Sequence, residues 1–297
     1  AAHNAGLVQD GECFTVFGGP GRPAIGAALT VPLERWFWPL DGELGYDGAL
    51  WIFMAEMRNP NRTGADLGAT PTATWVARLD PDTPSVLSFH PASDSGTRLY
   101  GWSVVSDDRY SYLFGHCNRQ FVHDASGPGQ FDLTCMPRSY LARVPVGRFD
   151  QPLEYWNGTG WTRDGDAAVS VLTRGAANPM SVQWLGDAFV SVTKVSDWWG
   201  ATIEIDRASS PAGPWQRVES RWVINDRKCG DCGNYGAFLM PYLDDLGRMT
   251  IALSNGAPYE RWHANAALYR PTFYSLAPPG PSTLDTVEVP TAFAAVA

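Results

Sequence analysis

Four segments of the chain repeat one pattern, in which a short apolar or aromatic strand, a polar turn and a second strand follow one another. The centres of the four turns lie 59, 80 and 60 residues apart, at Gly48, Asp107, Asp187 and Gly247. After each hairpin an arginine recurs in a further strand-like stretch, at Arg78, Arg143, Arg207 and Arg270. Each repeat therefore has room for four strands, which is typical of a β-propeller blade with its loops.

A fifth hairpin opens the chain. Residues 3–19 read as strand, turn and strand, with the turn at Asp10-Gly11, but only 37 residues separate Gly11 from Gly48. No other hairpin fits between them, so this segment is interpreted as the outer hairpin of a first blade whose inner hairpin is missing. The sequence predicts an all-β, five-bladed propeller with an incomplete first blade. We expect one domain over residues 1–281 and a tail or linker over residues 282–297.

Composition agrees with this fold and narrows the partners. The 30 Gly, 23 Pro and 13 Trp favour short strands and tight turns over helices. The net charge of −9 comes from 31 acidic against 22 basic residues, without a run of Lys or Arg, so a nucleic-acid partner is not expected. The apolar stretches are strand-length, and no membrane span is expected. We expect a monomer with a neutral or cationic ligand.

Five cysteines bear on the compartment. Cys117 and Cys135 flank a polar loop, Cys229 and Cys232 form a close pair, and Cys13 is left over. The close pair lacks a recognisable second half of a zinc site, and no helix follows it as in a redox motif. Structural disulfides in an exported protein are the interpretation that fits best, with localisation outside the cell or at the cell envelope.

Several motifs together resemble a known family. They include "HNAGLVQDG", "WFWPLDG", "YGWSVVSD", "GHCNRQF", "EYWNGTGWT", "NPMSVQW", "TKVSDWWG", "SSPAGPW" and "YRPTF". The chain from about His3 to Pro279 resembles secreted actinobacterial proteins of the DUF4185 type, formerly a domain of unknown function and related to endo-D-arabinanases. The resemblance implies a five-bladed propeller, a sugar-binding groove at one end of the axis, and endo-acting hydrolysis of D-arabinan by paired carboxylates. Trp215 in "SSPAGPW" is expected to pack between blades.

One departure from that family pattern affects the expected activity. In the family, a strand ending in an "FGD" motif precedes "HN", and its Asp lies in the groove; here only two alanines precede His3. If the sequence is a fragment, it lacks a catalytic carboxylate. The alternative functions are therefore a non-catalytic carbohydrate-binding or cell-envelope propeller, or a truncated hydrolase. Hydrolysis of another furanoside or of a sialoside is a third, although no arginine triad is evident.

Glycoside hydrolysis needs one carboxyl to protonate the leaving oxygen and a second to act as base or nucleophile. Asp41, directly after "WFWPL", and Asp197, in "KVSDWWG", are the candidate catalytic residues. Each has an alternative as a turn or capping residue. Glu43 lies in the same turn region as Asp41, and Glu204 has an alternative as a solvent-facing strand residue.

Sugar-binding clefts combine aromatic faces with amides, imidazoles and other polar groups. The candidate substrate-binding residues share this chemistry and lie near the ends of the predicted hairpins: His3, Asn4, Trp38, Trp102, His116, Asn178, Trp198, Trp199, Tyr235 and His263. Phe238 is the alternative to Tyr235. No cofactor or metal site is predicted; calcium on the axis is possible in related propellers, but no Asp-rich loop indicates it.

Overall fold

The structure is a computed structural model of the chain. It describes residues 6–10, 13–17, 35–58, 70–83, 85–92, 98–117, 121–122, 130–131, 138–174, 180–195, 202–222, 233–257 and 259–279.

The first two large sheets are built from antiparallel strands. The first contains β3 (Arg35–Leu44), β4 (Leu50–Arg58), β5 (Thr70–Leu79) and β6 (Val86–Pro91). The second contains β7 (Arg98–Ser106), β8 (Tyr110–Cys117), β11 (Arg138–Pro145), β12 (Glu154–Trp156) and β13 (Trp161–Thr162), and β14 (Ser170–Thr173) also pairs with β11. A separate two-stranded ribbon joins β9 (Phe121–Val122) to β10 (Gln130–Phe131).

The other two large sheets have the same up-and-down order. The third contains β15 (Ser181–Leu185), β16 (Ala188–Val195), β17 (Thr202–Ala208) and β18 (Gln216–Trp222). The fourth contains β19 (Gly233–Leu243), β20 (Met249–Gly256) and β21 (Thr272–Leu276). Helical structure in the described residues is limited to α1 (Tyr259–Ala264) and two short 3-10 turns (Gly165–Ala167 and Ala266–Tyr269).

The number of blades corrects the sequence prediction. Four sheets in the described residues have the form of propeller blades, rather than the expected five. The opening segment forms a two-stranded sheet, in which β1 (Gly6–Asp10) pairs with β2 (Cys13–Phe17). The prediction of a hairpin in this segment was right. A hairpin pattern predicts only two strands, however, and the prediction of a fifth blade depended on further strands outside the segment.

The four predicted hairpin turns are confirmed, and the structure explains the recurring arginine. Asp47 lies in the turn between β3 and β4, and Arg78 on the third strand of that blade reaches it with Nε 2.6 Å from Oδ2. In the third blade Arg207 makes the same contact with the turn residue Asp187, at 2.9 Å. In these two blades the arginine therefore ties the third strand to the inner turn, whereas Arg143 of the second blade pairs with Glu154 of β12 at 2.9 Å. Arg270 differs, because it precedes β21 rather than lying in it.

Hydrophobic cores lie between consecutive blades. Trp51 and Phe53 of the first blade pack with Tyr100 and Leu113 of the second, and equivalent apolar clusters join the second blade to the third and the third to the fourth. Trp215 of the third blade packs against Phe114 of the second, with ring centroids 6.1 Å apart, as predicted for an interblade residue. Blade faces are thus buried against each other, and the innermost strands surround the axis.

Two further sequence predictions concern segments that the structure covers only in part. Cys135, Cys229 and Cys232 lie outside the described residues, and no disulfide is seen among the residues that are described.

Among the described residues, no helix is both long enough and apolar enough to cross a membrane.

Candidate functional site

A cleft of about 320 Å³ lies where the innermost strands of all four blades meet. Each innermost strand lies against the next, β3 against β7, β7 against β15 and β15 against β19. Among the described residues, the lining comes from these four strands: Leu40, Asp41, Gly42, Glu43, Trp102, Val104, Ser181, Gln183, Phe238, Leu239, Met240 and Pro241. The cleft is therefore axial, and Asp41 and Glu43 are the charged residues among those that line it.

Three innermost strands are pinned to their neighbours by equivalent hydrogen bonds. The Val104 N–H donates to Asp41 Oδ2 at 2.8 Å, the Val182 N–H donates to Ser103 Oγ at 2.9 Å, and the Leu239 N–H donates to Ser181 Oγ at 2.9 Å. Each acceptor belongs to the preceding blade. Asp41 thus occupies the position that serine occupies in the next two blades. Serine suffices for the pin, so blade contact does not require a carboxylate at this position.

Asp41 is held rigidly in an environment that changes its protonation. Its Oδ1 accepts from the Gly42 N–H at 2.8 Å, in addition to the Val104 bond. Burial raises the pKa of Asp41 above the usual range for an aspartate, while hydrogen bonds from Val104, Gly42 and Ser103 oppose that shift. Both oxygens are therefore oriented by donors, and the carboxyl takes up a proton more readily than a free aspartate.

Glu43 lies two residues further along β3, on the same side of the strand. The hydroxyl of Ser106 donates to Glu43 Oε2 at 2.5 Å. Burial raises the pKa of Glu43, and the negative charge of Asp41 raises it further, against the hydrogen bonds from Ser106. Two neighbouring carboxyls with raised pKa values are typical of catalytic acid–base pairs, although buried ion networks also perturb pKa values.

A β-bulge in β3 places Asp41 in the cleft. The pairing with β4 shifts by one residue between Pro39 and Gly42, so Leu40 and Asp41 leave the regular register. Gly42 is needed there, because a Cβ atom would lie 2.2 Å from the carbonyl oxygen of Trp51 and 3.0 Å from Cα of Ile52. The innermost strands β7 and β19 also have register shifts, whereas β15 pairs regularly with β16.

Gly42→Ala is expected to move the bulge and the carboxyls beside it. The added methyl meets backbone atoms that cannot rotate away, so we expect a loss of about 1 to 3 kcal/mol in the free energy of unfolding. Urea denaturation measures this change. Gly160→Ala is the matched control, because a Cβ at Gly160 has no atom within 4 Å. Equal stability of the two variants would show that the bulge tolerates a side chain.

The walls of the cleft combine aromatic and amide groups. Trp102 lies within the register shift of β7, between Tyr100 and Ser103, and Phe238 of β19 is 46% exposed. Gln183 lies two residues after Ser181, as Glu43 lies two residues after Asp41, so these side chains occupy equivalent positions in the first and third blades. Gln183 was not predicted from the sequence to line the site. Its position follows from the register of the repeat, which becomes evident only when the three hydrogen-bonded pins are aligned.

The predicted binding residues on described strands divide into different settings. Trp102 lines the cleft, and its ring centroid lies 6.5 Å from that of His116, a buried residue of β8. Trp38 is absent from the cleft lining and packs beside Ala55 and Met57. The bulges explain the difference. Leu40, rather than Trp38, directly precedes the pinning residue of its strand, Asp41, just as Trp102 directly precedes Ser103.

Other predicted residues are only partly placed or lie outside the described residues. Tyr235 is in β19, and His263 is in α1 rather than at the end of a hairpin strand. Six others fall outside the part of the chain that the structure describes: His3, Asn4, Asn178, Asp197, Trp198 and Trp199. Their roles stay predictions.

Glu204 has a structural setting. It lies on β17, with Oε1 2.5 Å from Nη1 of Arg217 and Oε2 3.0 Å from Nε of Arg174. It is therefore part of an ion network and does not line the axial cleft. In the described ranges, no group of three or more His, Cys, Asp or Glu side chains could hold a metal ion.

A smaller cavity of about 220 Å³ lies between the first two blades. Its deep walls are mostly apolar, with Phe53, Val76 and Leu113 among them. Among the described residues that line this cavity, the carboxyl group belongs to Asp150. Asp150 is exposed and forms an ion pair with Arg148 at 3.0 Å. The axial cleft, with its two neighbouring carboxyls, is therefore the candidate site.

Comparisons with known proteins support the fold. Residues 3–278 match the family described as "Domain of unknown function (DUF5005)". The expected family was of the DUF4185 type, so the resemblance to a domain of unknown function is confirmed only at that coarser level. None of the curated proteins matches the sequence.

Two of the solved structures that match this chain illustrate the similarity. The α-L-arabinofuranosidase of Podospora anserina, solved in complex with cellotriose, has a TM-score of 0.50 and 11% identity, covering 90% of this chain and 78% of its own. The exo-β-1,3-galactanase of Phanerochaete chrysosporium, solved with β-1,3-galactotriose, has a TM-score of 0.49 and 15% identity, covering 92% of this chain and 60% of its own. At such identities the first of these shows a shared propeller fold.

Proposed function

The chain belongs to the DUF5005 family, and from this premise we propose that it is a glycoside hydrolase whose reaction takes place in the axial cleft. The observation that carries the proposal is the pair Asp41 and Glu43, two carboxyls with raised pKa values on one face of β3. The roles assigned to the two carboxyls rest on the chemistry of the cleft itself.

The two carboxyls are assigned different roles. Asp41 accepts hydrogen bonds from two backbone N–H groups, which stabilise a negative charge, so it acts as the base or nucleophile. Glu43 is the general acid, because burial and the charge of Asp41 both favour its protonated form. Glu43 gives its proton to the leaving glycosidic oxygen, while Asp41 activates water or attacks the anomeric carbon.

The walls of the cleft favour a neutral sugar. Trp102 and Phe238 offer aromatic surface for the C–H faces of a sugar ring, and the Gln183 amide can bond its hydroxyls. The two carboxyls disfavour an anionic substrate. We place the substrate among furanose polymers, with internal cleavage of D-arabinan as the specific proposal; the name of the arabinofuranosidase neighbour agrees with a furanoside. We also propose that the protein works outside the cell, from its cysteine pattern.

The test is hydrolysis of a panel of purified polysaccharides, namely D-arabinan, L-arabinan and β-1,3-galactan, with product sizes analysed by chromatography. We expect D-arabinan to be cut into intermediate oligosaccharides. Because the pKa of Glu43 is raised, the acid keeps its proton beyond the usual range of glutamate, and activity is lost as the pH rises through that raised pKa. Activity also falls at low pH, where Asp41 becomes protonated.

The assay separates the proposal from the alternatives. Release of single sugars only would contradict internal cleavage, and cleavage of galactan alone would contradict the furanose assignment. Binding of D-arabinan without hydrolysis at any pH would support a non-catalytic carbohydrate-binding propeller instead.

A further inference from the structure

A chain of hydrogen bonds continues behind Glu43 into the protein interior. Ser106 Oγ lies 2.5 Å from Glu43 Oε2 and 2.5 Å from Ser111 Oγ. Ser111 Oγ in turn accepts from the Gly147 N–H at 2.9 Å. Ser111 is 0% exposed, so it contacts neither solvent nor the cleft. The chain therefore connects the cleft to the turn after β11.

When Glu43 is ionised, the direction of every bond in this chain is determined by chemistry. A backbone N–H can only donate, so Ser111 Oγ is the acceptor from Gly147. The hydroxyl proton of Ser106 goes to the Glu43 carboxylate, and Ser106 Oγ is then the acceptor for the proton of Ser111. All three donors point toward Glu43. Aligned bonds of this kind polarise and strengthen one another.

The far end of the chain is anchored by the first blade. The Tyr46 N–H donates to the Gly147 carbonyl at 3.2 Å, and Tyr46 lies in the turn that follows Glu43 on β3. Gly147 has φ of 68°, and a Cβ there would lie 2.5 Å from the Tyr46 nitrogen. The turn of the second blade is thus locked against the turn of the first, which fixes the N–H that begins the chain.

We infer that Ser111 is a positioning residue that acts through Ser106 to hold the Glu43 carboxyl in its place and orientation in the cleft. This inference rests on the proposed function only for its effect on hydrolysis; the hydrogen-bond chain itself does not depend on the substrate. Ser111 touches no reacting atom, and its influence passes through one hydroxyl.

The surroundings of Glu43 allow this influence to be measured. From its own strand Asp41 is the neighbouring charge. The cleft residues described on the other strands are uncharged: Trp102 and Val104 of β7, Ser181 and Gln183 of β15, and Phe238, Leu239, Met240 and Pro241 of β19. A change in the titration of Glu43 after a serine substitution therefore reports on the chain or on Asp41.

The experiment follows the Glu43 carboxyl by carbon-13 NMR as a function of pH in the full chain, with the signal assigned by its loss in Glu43→Gln. Ser106→Ala removes the direct donor, and Ser111→Ala removes the donor behind it. Both are expected to shift the Glu43 titration to higher pH, Ser106→Ala by more, and the high-pH limb of the hydrolysis profile should shift with it. Ser191→Ala is the matched control, since Ser191 is fully buried in the third blade, away from the cleft.

The outcomes separate this inference from the proposed function. If Ser106→Ala shifts the titration but Ser111→Ala leaves it at the wild-type midpoint, the inference is wrong and Ser106 acts alone. If Ser191→Ala produces the same shift as Ser111→Ala, the effect is general destabilisation and the inference is also wrong. Absence of hydrolysis would overturn the proposed function while leaving the titration test intact.

A second substitution covers the case in which Ser111→Ala fails to fold. Ser111→Cys keeps a side chain of similar size with a weaker donor. It is expected to shift the titration in the same direction as Ser106→Ala but by less, and a midpoint equal to that of the wild type would contradict the inference.

Discussion

Asp41→Ser is expected to abolish hydrolysis while the blade interface stays intact. Serine fills the equivalent positions 103 and 181 and accepts the same interblade hydrogen bond there. The substitution therefore removes the carboxylate and keeps the pin. We expect kcat to fall by about 10²- to 10⁴-fold, the range for loss of an acid or base group, and the urea midpoint to change little. Steady-state kinetics and urea denaturation on the same preparation measure both.

Two comparisons make this prediction specific. Asp41→Ala also removes the pin, so it is expected to be less stable than Asp41→Ser. Asp187→Ser removes a carboxylate from a turn where its side chain is 81% exposed, and it is expected to retain activity. A stable Asp41→Ser variant with nearly unchanged kcat would show that Asp41 serves blade contact alone and that the catalytic carboxyl lies elsewhere.

Arg174→Met is expected to cause a large loss of stability by leaving the buried Asp206 carboxylate without its ion-pair partner. Arg174 follows β14 of the second blade and pairs with Asp206 of the third blade, whose side chain is 0% exposed, and with Glu204 at 3.0 Å. Removing one partner of a buried ion pair typically destabilises a protein by about 3 to 5 kcal/mol. Urea denaturation at neutral pH measures this difference.

The loss in Arg174→Met is expected to depend on pH. Burial already raises the pKa of Asp206, against the opposing effect of Arg174, and removal of Arg174 raises it further. The folded state then holds a proton that the unfolded state releases, so stability is retained at acidic pH and lost as the pH rises through the raised pKa. Arg221→Met, at an exposed pair with Glu219, is the control and should leave stability unchanged. A loss in Arg174→Met that is equal at acidic and neutral pH would contradict this explanation.

The sequence predicted those parts of the fold that depend on local chemistry. Turn residues such as Asp107 and Gly247, flanked by apolar strands, were sufficient to locate the first hairpin of every blade. The recurring arginine also marked the third strand in three blades. Asp41 was identified because it follows a strongly apolar strand. Trp38 was chosen by the same reasoning, yet it packs beside Ala55 and Met57.

The site itself was less predictable, because strand register decides which side chains face the axis. A shift of one residue moves a side chain to the other face of a strand. Such shifts occur in β3 beside Asp41 and in β19 between Asn234 and Gly236, and β7 is shifted by two residues between Tyr100 and Ser103. The positions of Glu43 and Gln183 in the cleft became evident only from contacts between blades. Ser106 and Ser111 were also not singled out, since a serine near a turn has no sequence signal for a contact with a carboxylate.

The sequence by itself therefore determined an all-β chain of repeated hairpins, because alternation and turn chemistry act over a few residues. Only the tertiary structure decided the number of blades, the axial cleft and the neighbours of its carboxyls. Asp41 meets the Val104 N–H across 63 positions of the chain, and Ser111 meets Gly147 across 36. Such contacts depend on how whole blades pack, and bulges set by backbone clearance, as at Gly42, determine which residues take part.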